Sequence, residues 1–213
     1  MKKLILSSLI ACGLAATSVQ ATLIAFTSRA AWEAAVGGSF TEQNFNSYTS
    51  STSYQSSAVD VGDFSVSMTG SDFGTVWHNI GPDSVGNNVN GTGQINVATG
   101  DTGGMTLTWD SQIIAFGAYF KGSSDSRVTN ILVNGQELSL PDTSTGAAFF
   151  GFVSDTAFSS ELFFLKSGAA DGFGIDDVVY SAKSSSVPEG GSTLALIGAS
   201  LLGIAALRRR FAA

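Results

Sequence analysis

The chain has 213 residues, a formal net charge of −7, one histidine and one cysteine. This length suits one domain with terminal extensions, and the acidic balance argues against nucleic-acid binding, which needs a basic surface. One cysteine allows no disulfide within the chain, and one histidine allows no zinc site built from several histidines. We therefore expect a hydrophobic core to stabilise the fold, with a bound metal as an additional source of stability.

The N-terminus has the three parts of a secretory signal peptide. A basic pair precedes an apolar stretch over residues 4–16, and Val19-Gln20-Ala21 fits the small-x-small rule for signal peptidase. We expect signal peptidase to remove residues 1–21, so that the mature chain begins at Thr22. Two alternatives are open: a retained N-terminal anchor, and a lipobox in "LIAC" that would be lipidated at Cys12.

Residues 27–38, "TSRAAWEAAVGG", predict the one helix of the body. Thr27 or Ser28 can cap its start, alanines fill it, and Gly37 can end it. Trp32 is expected to anchor the helix to the core.

The rest of the body, residues 22–182, predicts an all-β domain that follows this short helix. Runs rich in β-branched and aromatic residues indicate strands. These runs are 64–68, 105–110, 113–120, 127–133, 161–165 and 174–180. Asn134-Gly135 is typical of a two-residue hairpin turn. We therefore predict an antiparallel β-sandwich of jelly-roll kind.

The stretch "FGIDDVVY" places two carboxylates among apolar residues. Regular alternation along a strand would put Asp177 on the face of Ile175 and Val179, and Asp176 on the opposite face. A buried carboxylate is costly unless it is paired, hydrogen-bonded or bound to a metal. The alternative is an edge strand with solvated or capped aspartates.

Glu42, Asn44 and Asn46 alternate along an early predicted strand, so their oxygens would point one way. The stretch around Asp176 is similar to the closing strand of carbohydrate-binding jelly rolls, in which an Ile-Asp pair often supplies a ligand to a structural calcium. The resemblance implies a structural Ca²⁺ bound by Asp176 with Glu42 or Asn44 and by backbone carbonyls. The oxygen ligands suit this ion.

No pattern in the sequence selects a catalytic site. His78 lies in a predicted loop, and no Gly-x-Ser-x-Gly nucleophile elbow accompanies it. The acidic residues offer many carboxylate pairs for glycoside hydrolysis, but no spacing selects one. We expect no enzymatic activity, and Trp77 in the same loop is the best candidate for a platform that stacks on a sugar.

The C-terminus is organised as linker, motif, apolar stretch and basic cluster. A Ser-rich linker over residues 183–186 precedes "VPEGG", and residues 190–207 carry no charge. At about 1.5 Å per residue, such a stretch is just long enough to cross a thin bilayer as a helix. The arginines that follow would stay in the cytoplasm under the positive-inside rule, with the body outside. A buried core helix is the alternative.

This arrangement, over residues 187–213, resembles the C-terminal sorting signals of the PEP-CTERM type. Gly190 replaces the second proline of the name-giving motif, so the chain looks more like a VPEGG variant. The resemblance implies processing by an exosortase, a membrane transpeptidase, and association with exopolysaccharide. The sorting residues would be Val187, Pro188, Glu189, Gly190, Gly191, Arg208, Arg209 and Arg210. A permanent single-pass anchor is the alternative.

The body also resembles a recurrent domain found with such signals, through the helix near Trp32, "FFGFVSD" at 149–155 and "DGFGIDDVVY" at 171–180. It departs from the pattern where Asn44-Phe45-Asn46 replaces an acidic pair. We expect an exported surface or matrix protein whose body is structural or binding. The alternatives are a carbohydrate-binding adhesin module and a secreted glycan hydrolase.

Overall fold

The computed structural model describes residues 21–70, 78–82, 86–91, 93–100, 103–124, 127–167 and 170–182. These ranges contain one helix and twelve strands. The helix is α1 Arg29–Val36, and the strands are β1 Leu23–Phe26, β2 Thr41–Gln43, β3 Thr52–Ser53, β4 Val59–Asp60, β5 Phe64–Gly70, β6 Asn79–Gly81, β7 Gln94–Thr99, β8 Gly103–Lys121, β9 Val128–Val133, β10 Gln136–Ser139, β11 Ala148–Ser167 and β12 Asp171–Ala182. The prediction of an all-β domain with one short helix is confirmed.

All strand pairs are antiparallel, and they form one continuous hydrogen-bonded sheet. Its main path runs β10-β9-β11-β8-β12-β7-β6-β3, while β1, β2, β4 and β5 attach at its sides. The more specific prediction of a jelly-roll sandwich stays a prediction.

The long strands β8 and β11 are the centre of the sheet. They pair over Ala148–Val153 with Phe120–Ala115, and again over Ser160–Phe164 with Thr108–Gly104. The register shifts between these two stretches, around Val153 and Phe158, as happens at β-bulges. Each long strand can therefore take different neighbours along its two halves: β8 pairs with β5 and β12, and β11 with β1 and β9.

The helix forms as its sequence predicts. The Ser28 hydroxyl accepts a hydrogen bond from the Ala31 N–H at 3.4 Å, which caps the first turn. Gly37 adopts a left-handed conformation with φ 64°, and its N–H donates to the Glu33 carbonyl, which ends the helix. Trp32 is fully buried, and its Nε1 donates to the Phe152 carbonyl at 3.1 Å. Trp32 thus anchors α1 to β11, as predicted.

The predicted hairpin is also present. Val133 of β9 pairs with Gln136 of β10, so the connecting loop consists of Asn134 and Gly135 alone. Both residues have positive φ, 48° and 77°, as the type I′ turn requires.

The predicted strands are all found, but three of the predicted runs are parts of two longer strands. The runs 105–110 and 113–120 join into β8, and 161–165 is the second half of β11. The strands β1, β3, β4, β6 and β7 were not predicted. Most of these are two to four residues long, which is too short for alternation to give a signal.

The predicted alternation along "FGIDDVVY" is wrong. Asp177 has a left-handed φ of 49°, and the register of β12 on β8 shifts between Asp176 and Val179. This bulge brings Val178 onto the core side with Ile175. The extra residue is tolerated because it keeps the apolar side chains on both sides of the bulge in the core.

Within the described part of the chain, buried side chains form two core clusters on opposite faces of the sheet. The main cluster is built largely from aromatic and β-branched side chains of β5, β7, β8, β11 and β12. The second cluster lies beneath α1 and consists of Trp32, Ala115, Phe149 and Val179. A helix is thus fixed to the outer face of the sheet by one tryptophan and its neighbours.

None of the helices formed by the described residues is long and apolar enough to cross a membrane. The predicted signal peptide, apart from its last residue Ala21, lies outside the described residues. So do the predicted linker at 183–186 and the sorting signal at 187–213 with its apolar stretch.

Glu161 is an unusual member of the main core. It is fully buried on β11, opposite Leu107 of β8, and it shares its face with the buried Phe163. Neither carboxyl oxygen has a hydrogen-bond partner among the described residues. Burial raises the pKa of Glu161 well above its usual value, because the charged form cannot be solvated there. The apolar core therefore favours the neutral form of this carboxyl.

Replacement of Glu161 should therefore stabilise the protein. Because the folded-state pKa is raised, the folded protein binds more protons than the unfolded chain as pH rises above about 4.3, and the free energy of unfolding falls with pH. Glu161→Leu should raise the free energy of unfolding at pH 7 by about 1–3 kcal/mol. Glu161→Gln should remove this group's pH dependence. Denaturant titrations from pH 4 to pH 9 measure both effects.

Glu137→Gln provides the control, since Glu137 is exposed on β10. It should leave the slope of stability against pH nearly unchanged between pH 5 and pH 9. A Glu161→Gln protein with the same slope as the wild type would contradict the assignment of a neutral buried carboxyl.

Candidate functional site

A groove of about 380 Å³ lies on the outer face of the sheet, at the junction of β8, β9 and β11. Its floor is a row across the three strands, in which Leu162 faces Thr106 on one side and Leu132 on the other. The hairpin turn and the bulged part of β11 form one end of the groove. Its described lining residues are Thr106, Gln112, Leu132, Asn134, Gly135, Ala157, Phe158, Ser159, Ser160 and Leu162.

The turn is fixed relative to the bulge. The Asn134 Nδ2 donates to the Thr156 carbonyl at 3.2 Å, and the Ser154 hydroxyl donates to the same carbonyl at 2.6 Å. The left-handed Asn134 therefore holds the hairpin against β11. This shape depends on the bulge, because a regular strand would carry these residues into the sheet.

The chemistry of the groove is neutral and amphipathic. Its described lining contains amides and hydroxyls beside aliphatic side chains, and it contains no carboxylate, ammonium, guanidinium or imidazole group. Gln112 and Ser160 are exposed, and within the described residues their side chains make no hydrogen bond. These side chains can donate hydrogen bonds to a ligand and can accept hydrogen bonds from it.

A second polar region lies on the outer face of β6 and β7. Asn79, Gln94 and Asn96 are buried there, and we call them the amide cluster. Gln94 Nε2 donates to Asn96 Oδ1 at 2.9 Å, and Asn96 Nδ2 donates to Asn79 Oδ1 at 3.0 Å. The chain of amides satisfies polar groups that would otherwise be costly to bury.

The loop of residues 86–91 covers the amide cluster and crosses β12. Asn87 Nδ2 donates to the Gly172 carbonyl at 2.6 Å, and Val89 N–H donates to Gln94 Oε1 at 3.0 Å. A Cβ at Gly174 would lie 2.5 Å from both the Asn87 carbonyl oxygen and Gln94 Nε2. This close approach requires glycine at position 174.

Asp176 lies beside the amide cluster. Its neighbour Ile175 pairs with Ile95, which directly follows Gln94 on β7. The side chain of Asp176 is fully buried, and its Oδ1 accepts a hydrogen bond from the Asp177 N–H at 2.7 Å. Burial, and next the charge of Glu42, raise the pKa of Asp177.

Glu42, another predicted calcium ligand, is already paired. Its two oxygens accept hydrogen bonds from the Arg29 guanidinium at 3.1 and 2.7 Å. The hydrogen bonds from Arg29, with its charge, lower the pKa of Glu42. This bidentate pair joins α1 to β2, and it uses the oxygens that a metal would need.

Asn44, the third predicted ligand, lies after the end of β2. The expectation that Glu42, Asn44 and Asn46 alternate along one strand is wrong. The strand ends at Gln43, and Phe45 has a left-handed φ of 52°. Asn44 Oδ1 accepts a hydrogen bond from the Asn46 N–H at 3.2 Å, which forms a turn.

The part of the chain that the structure describes holds no group of three or more His, Cys, Asp or Glu residues arranged to bind a metal ion. Of the three predicted ligands, Asp176 alone fits as a buried anionic oxygen donor. Glu42 and Asn44 do not fit with it, since their oxygens are engaged. The prediction of calcium stays a prediction.

His78 lies in a bend, in keeping with the predicted loop, but its side chain is buried. It is fully buried directly before β6, and its ring lies edge-on to Tyr54 with centroids 5.7 Å apart. Trp77, the predicted sugar platform, lies outside the described residues.

The groove is not predicted by the sequence. Two of its features have a signal in the sequence, Thr106 of β8 and the Asn134-Gly135 turn. Neither signal predicts which strands pair with each other. The groove arises from pairings between residues far apart in the chain, such as Leu162 with Thr106.

A comparison with family models finds a VPDSG-CTERM motif at residues 186–211. These residues therefore form a sorting signal of the PEP-CTERM-like kind. The motif indicates an exported, envelope-associated protein that a membrane-associated sortase-like enzyme processes. The match begins one residue before the predicted signal and ends two residues before the chain does. No curated protein matches the chain.

Two solved structures are distantly similar. The enzymatically active domain of tailspike protein 4 from bacteriophage CBA120 has a TM-score of 0.35 and 18% identity, covering 58% of this chain and 20% of the tailspike chain. The catalytic unit of the thermostable GH87 α-1,3-glucanase from Streptomyces thermodiastaticus strain HF3-3 has a TM-score of 0.34 and 11% identity. This similarity covers 71% of this chain and 28% of the glucanase chain. The chain thus spans less than a third of either protein.

Proposed function

We propose that the protein is a component of the cell surface or extracellular matrix whose body is non-catalytic and has a structural or binding role. The observation that carries this proposal is the sorting motif at residues 186–211. The absence of any acidic or imidazole side chain from the described groove lining favours binding over hydrolysis, which needs two carboxylates in most glycosidases.

In this proposal an exosortase-type transpeptidase in the membrane cuts near Val187-Pro188-Glu189 of a VPEGG-variant motif. Pro188 cannot continue a helix and keeps the residue before it extended. The motif would therefore stand just outside the membrane as an accessible strand. Residues 190–207 would cross the membrane and leave the arginines in the cytoplasm.

The intact mass of the protein from its native host tests this proposal. With the exosortase present, the product should begin at Thr22 and end near Pro188 or Glu189. In a strain without the enzyme, or with Pro188→Ala, a chain ending at Ala213 should accumulate. Ser185→Ala in the linker is the matched control and should be processed normally. A chain that ends at Ala213 in both strains would refute processing.

A structural calcium ion at Asp176 is part of the proposal. Asp176 would supply a buried anionic ligand, and backbone carbonyls could complete the oxygen set. Glu42 would join only by releasing Arg29. The ion would compensate the charge of a carboxylate that is fully buried beside the amide cluster.

Calcium should raise the melting temperature of the purified protein relative to chelator, by about 5–10 °C at a hundredfold excess over the dissociation constant. Asp176→Asn should abolish this increase. Asp177→Asn is the matched control, since Asp177 is the neighbouring, less buried carboxylate. A melting temperature that is equal in calcium and chelator would refute the site.

The groove favours a second candidate function, a carbohydrate-binding adhesin module. Hydroxyls and amides such as Ser160 and Gln112 match the hydroxyl groups of a sugar, and the Leu132 and Leu162 side chains can contact its C–H faces. Because the lining is neutral and the protein is acidic, the expected ligand is an uncharged glycan. An anionic polysaccharide would be repelled.

Ser160→Tyr should fill the groove and weaken binding of neutral glycan fragments at least tenfold. Calorimetry with glucan, mannan and galactan oligosaccharides measures this, with alginate as the anionic comparison. Ser144→Tyr is the matched control, because Ser144 lies in an exposed turn that does not line the groove. Equal affinity in both variants, or no binding by the wild type, would refute this candidate function.

A further inference from the structure

Thr22 directly precedes β1 and continues its pairing with β11. Leu23 pairs with Ser154, and the Asp155 N–H donates to the Thr22 carbonyl at 3.2 Å. In return, the Thr22 N–H donates to Asp155, to the side-chain Oδ1 at 2.8 Å. The first residue of the predicted mature chain is therefore bound by a carboxylate.

Asp155 is available for this contact because of the break in the β8–β11 register. It lies between Val153 and Phe158, where β11 leaves its pairing with β8, and its side chain is exposed. Within the described residues its carboxylate pairs with no lysine or arginine. Hydrogen bonds from Thr22, first of all from its backbone N–H, hold the pKa of Asp155 below its usual value. The group is thus an ionised acceptor.

Cleavage after Ala21 would change the chemistry of the Thr22 nitrogen. One water molecule hydrolyses the amide bond, Ala21 leaves with a new carboxylate, and the Thr22 amine takes up a proton. An α-amino group has an ordinary pKa of about 7.7–8.0, so it is mainly charged at neutral pH. One peptide N–H is then replaced by an ammonium with three donors and a positive charge.

We propose that removal of the leader creates an ion pair between the α-ammonium of Thr22 and Asp155, and that this pair fastens β1 to β11. The inference rests on the export step of the proposed function. β1 needs an additional contact of this kind because it is four residues long and, among the described strands, pairs with β11 alone. It leads directly into α1, whose Trp32 covers the second core cluster.

Four proteins are compared to measure what the charged α-amine of Thr22 contributes: wild type and Asp155→Asn, each with and without acetylation. The exported protein is purified as wild type and as Asp155→Asn, and the α-amine of each is then acetylated at a pH where lysines remain protonated. Acetylation restores a single amide N–H on Thr22, as in the uncleaved chain, and removes the positive charge together with the two other N–H donors. Amide hydrogen exchange in β1 reports how often the strand opens.

In the wild type, acetylation should accelerate exchange of the β1 amides about two- to fivefold, as expected for an exposed ion pair. In Asp155→Asn it should have no effect. Asp60→Asn is the matched control, because Asp60 is also an exposed aspartate that accepts a backbone N–H, from Gly62 at 2.8 Å. This control should respond to acetylation as the wild type does.

An equal effect of acetylation in wild type and Asp155→Asn would overturn the proposal. A mature N-terminus other than Thr22, such as a lipidated Cys12, would also overturn it. Sorting is read separately at the C-terminus. A chain that begins at Thr22 and still ends at Ala213 would refute exosortase processing and leave the ion pair standing.

Discussion

The pairing of β8 with β11 is the constraint on which the rest of the structure depends. At its centre two glycines face each other, since Gly151 pairs with Gly117. A Cβ at Gly117 would lie 2.5 Å from the Phe149 ring, and a Cβ at Gly151 would lie 3.0 Å from Trp32. The missing side chains provide the space in which Phe149 and Trp32 pack. The helix can therefore lie on the sheet only because these two glycines meet.

The break in the β8–β11 register has three further consequences. It lets each long strand change neighbours, it shapes one end of the groove through residues 154–160, and it exposes Asp155 beside Thr22. Bulges are common where a side chain must be redirected. The two features that we connect with function, the neutral groove and the acceptor for a new N-terminus, thus share one structural origin.

Local features of this fold could be predicted from sequence. The Asn134-Gly135 turn and the Gly37 helix end follow from the left-handed conformations that these residues adopt easily. The bulge at Asp177 could not be predicted, because an aspartate at positive φ is set by the need to keep Ile175 and Val178 in one core. Long-range packing overrides local alternation there.

The same distinction applies to the site. Asp176 was found as a buried carboxylate because an acidic residue between apolar ones conflicts with its environment. Its surroundings could not be inferred, since the amide cluster comes from β6 and β7, whose pairing is not encoded in a local pattern. The burial of His78 against Tyr54 could not be predicted either, because the two residues are distant in sequence.

Delivery of the folded body to the outside of the cell, which the C-terminal sorting motif indicates, is the central claim. Its most direct test is the location of that body, measured by an antibody against residues 22–182 on intact cells, with a cytoplasmic protein as the control for lysis. We expect labelling of intact cells or their matrix, and loss of this labelling when residues 187–213 are deleted. Labelling that appears only after lysis, or that is unchanged by the deletion, would contradict it.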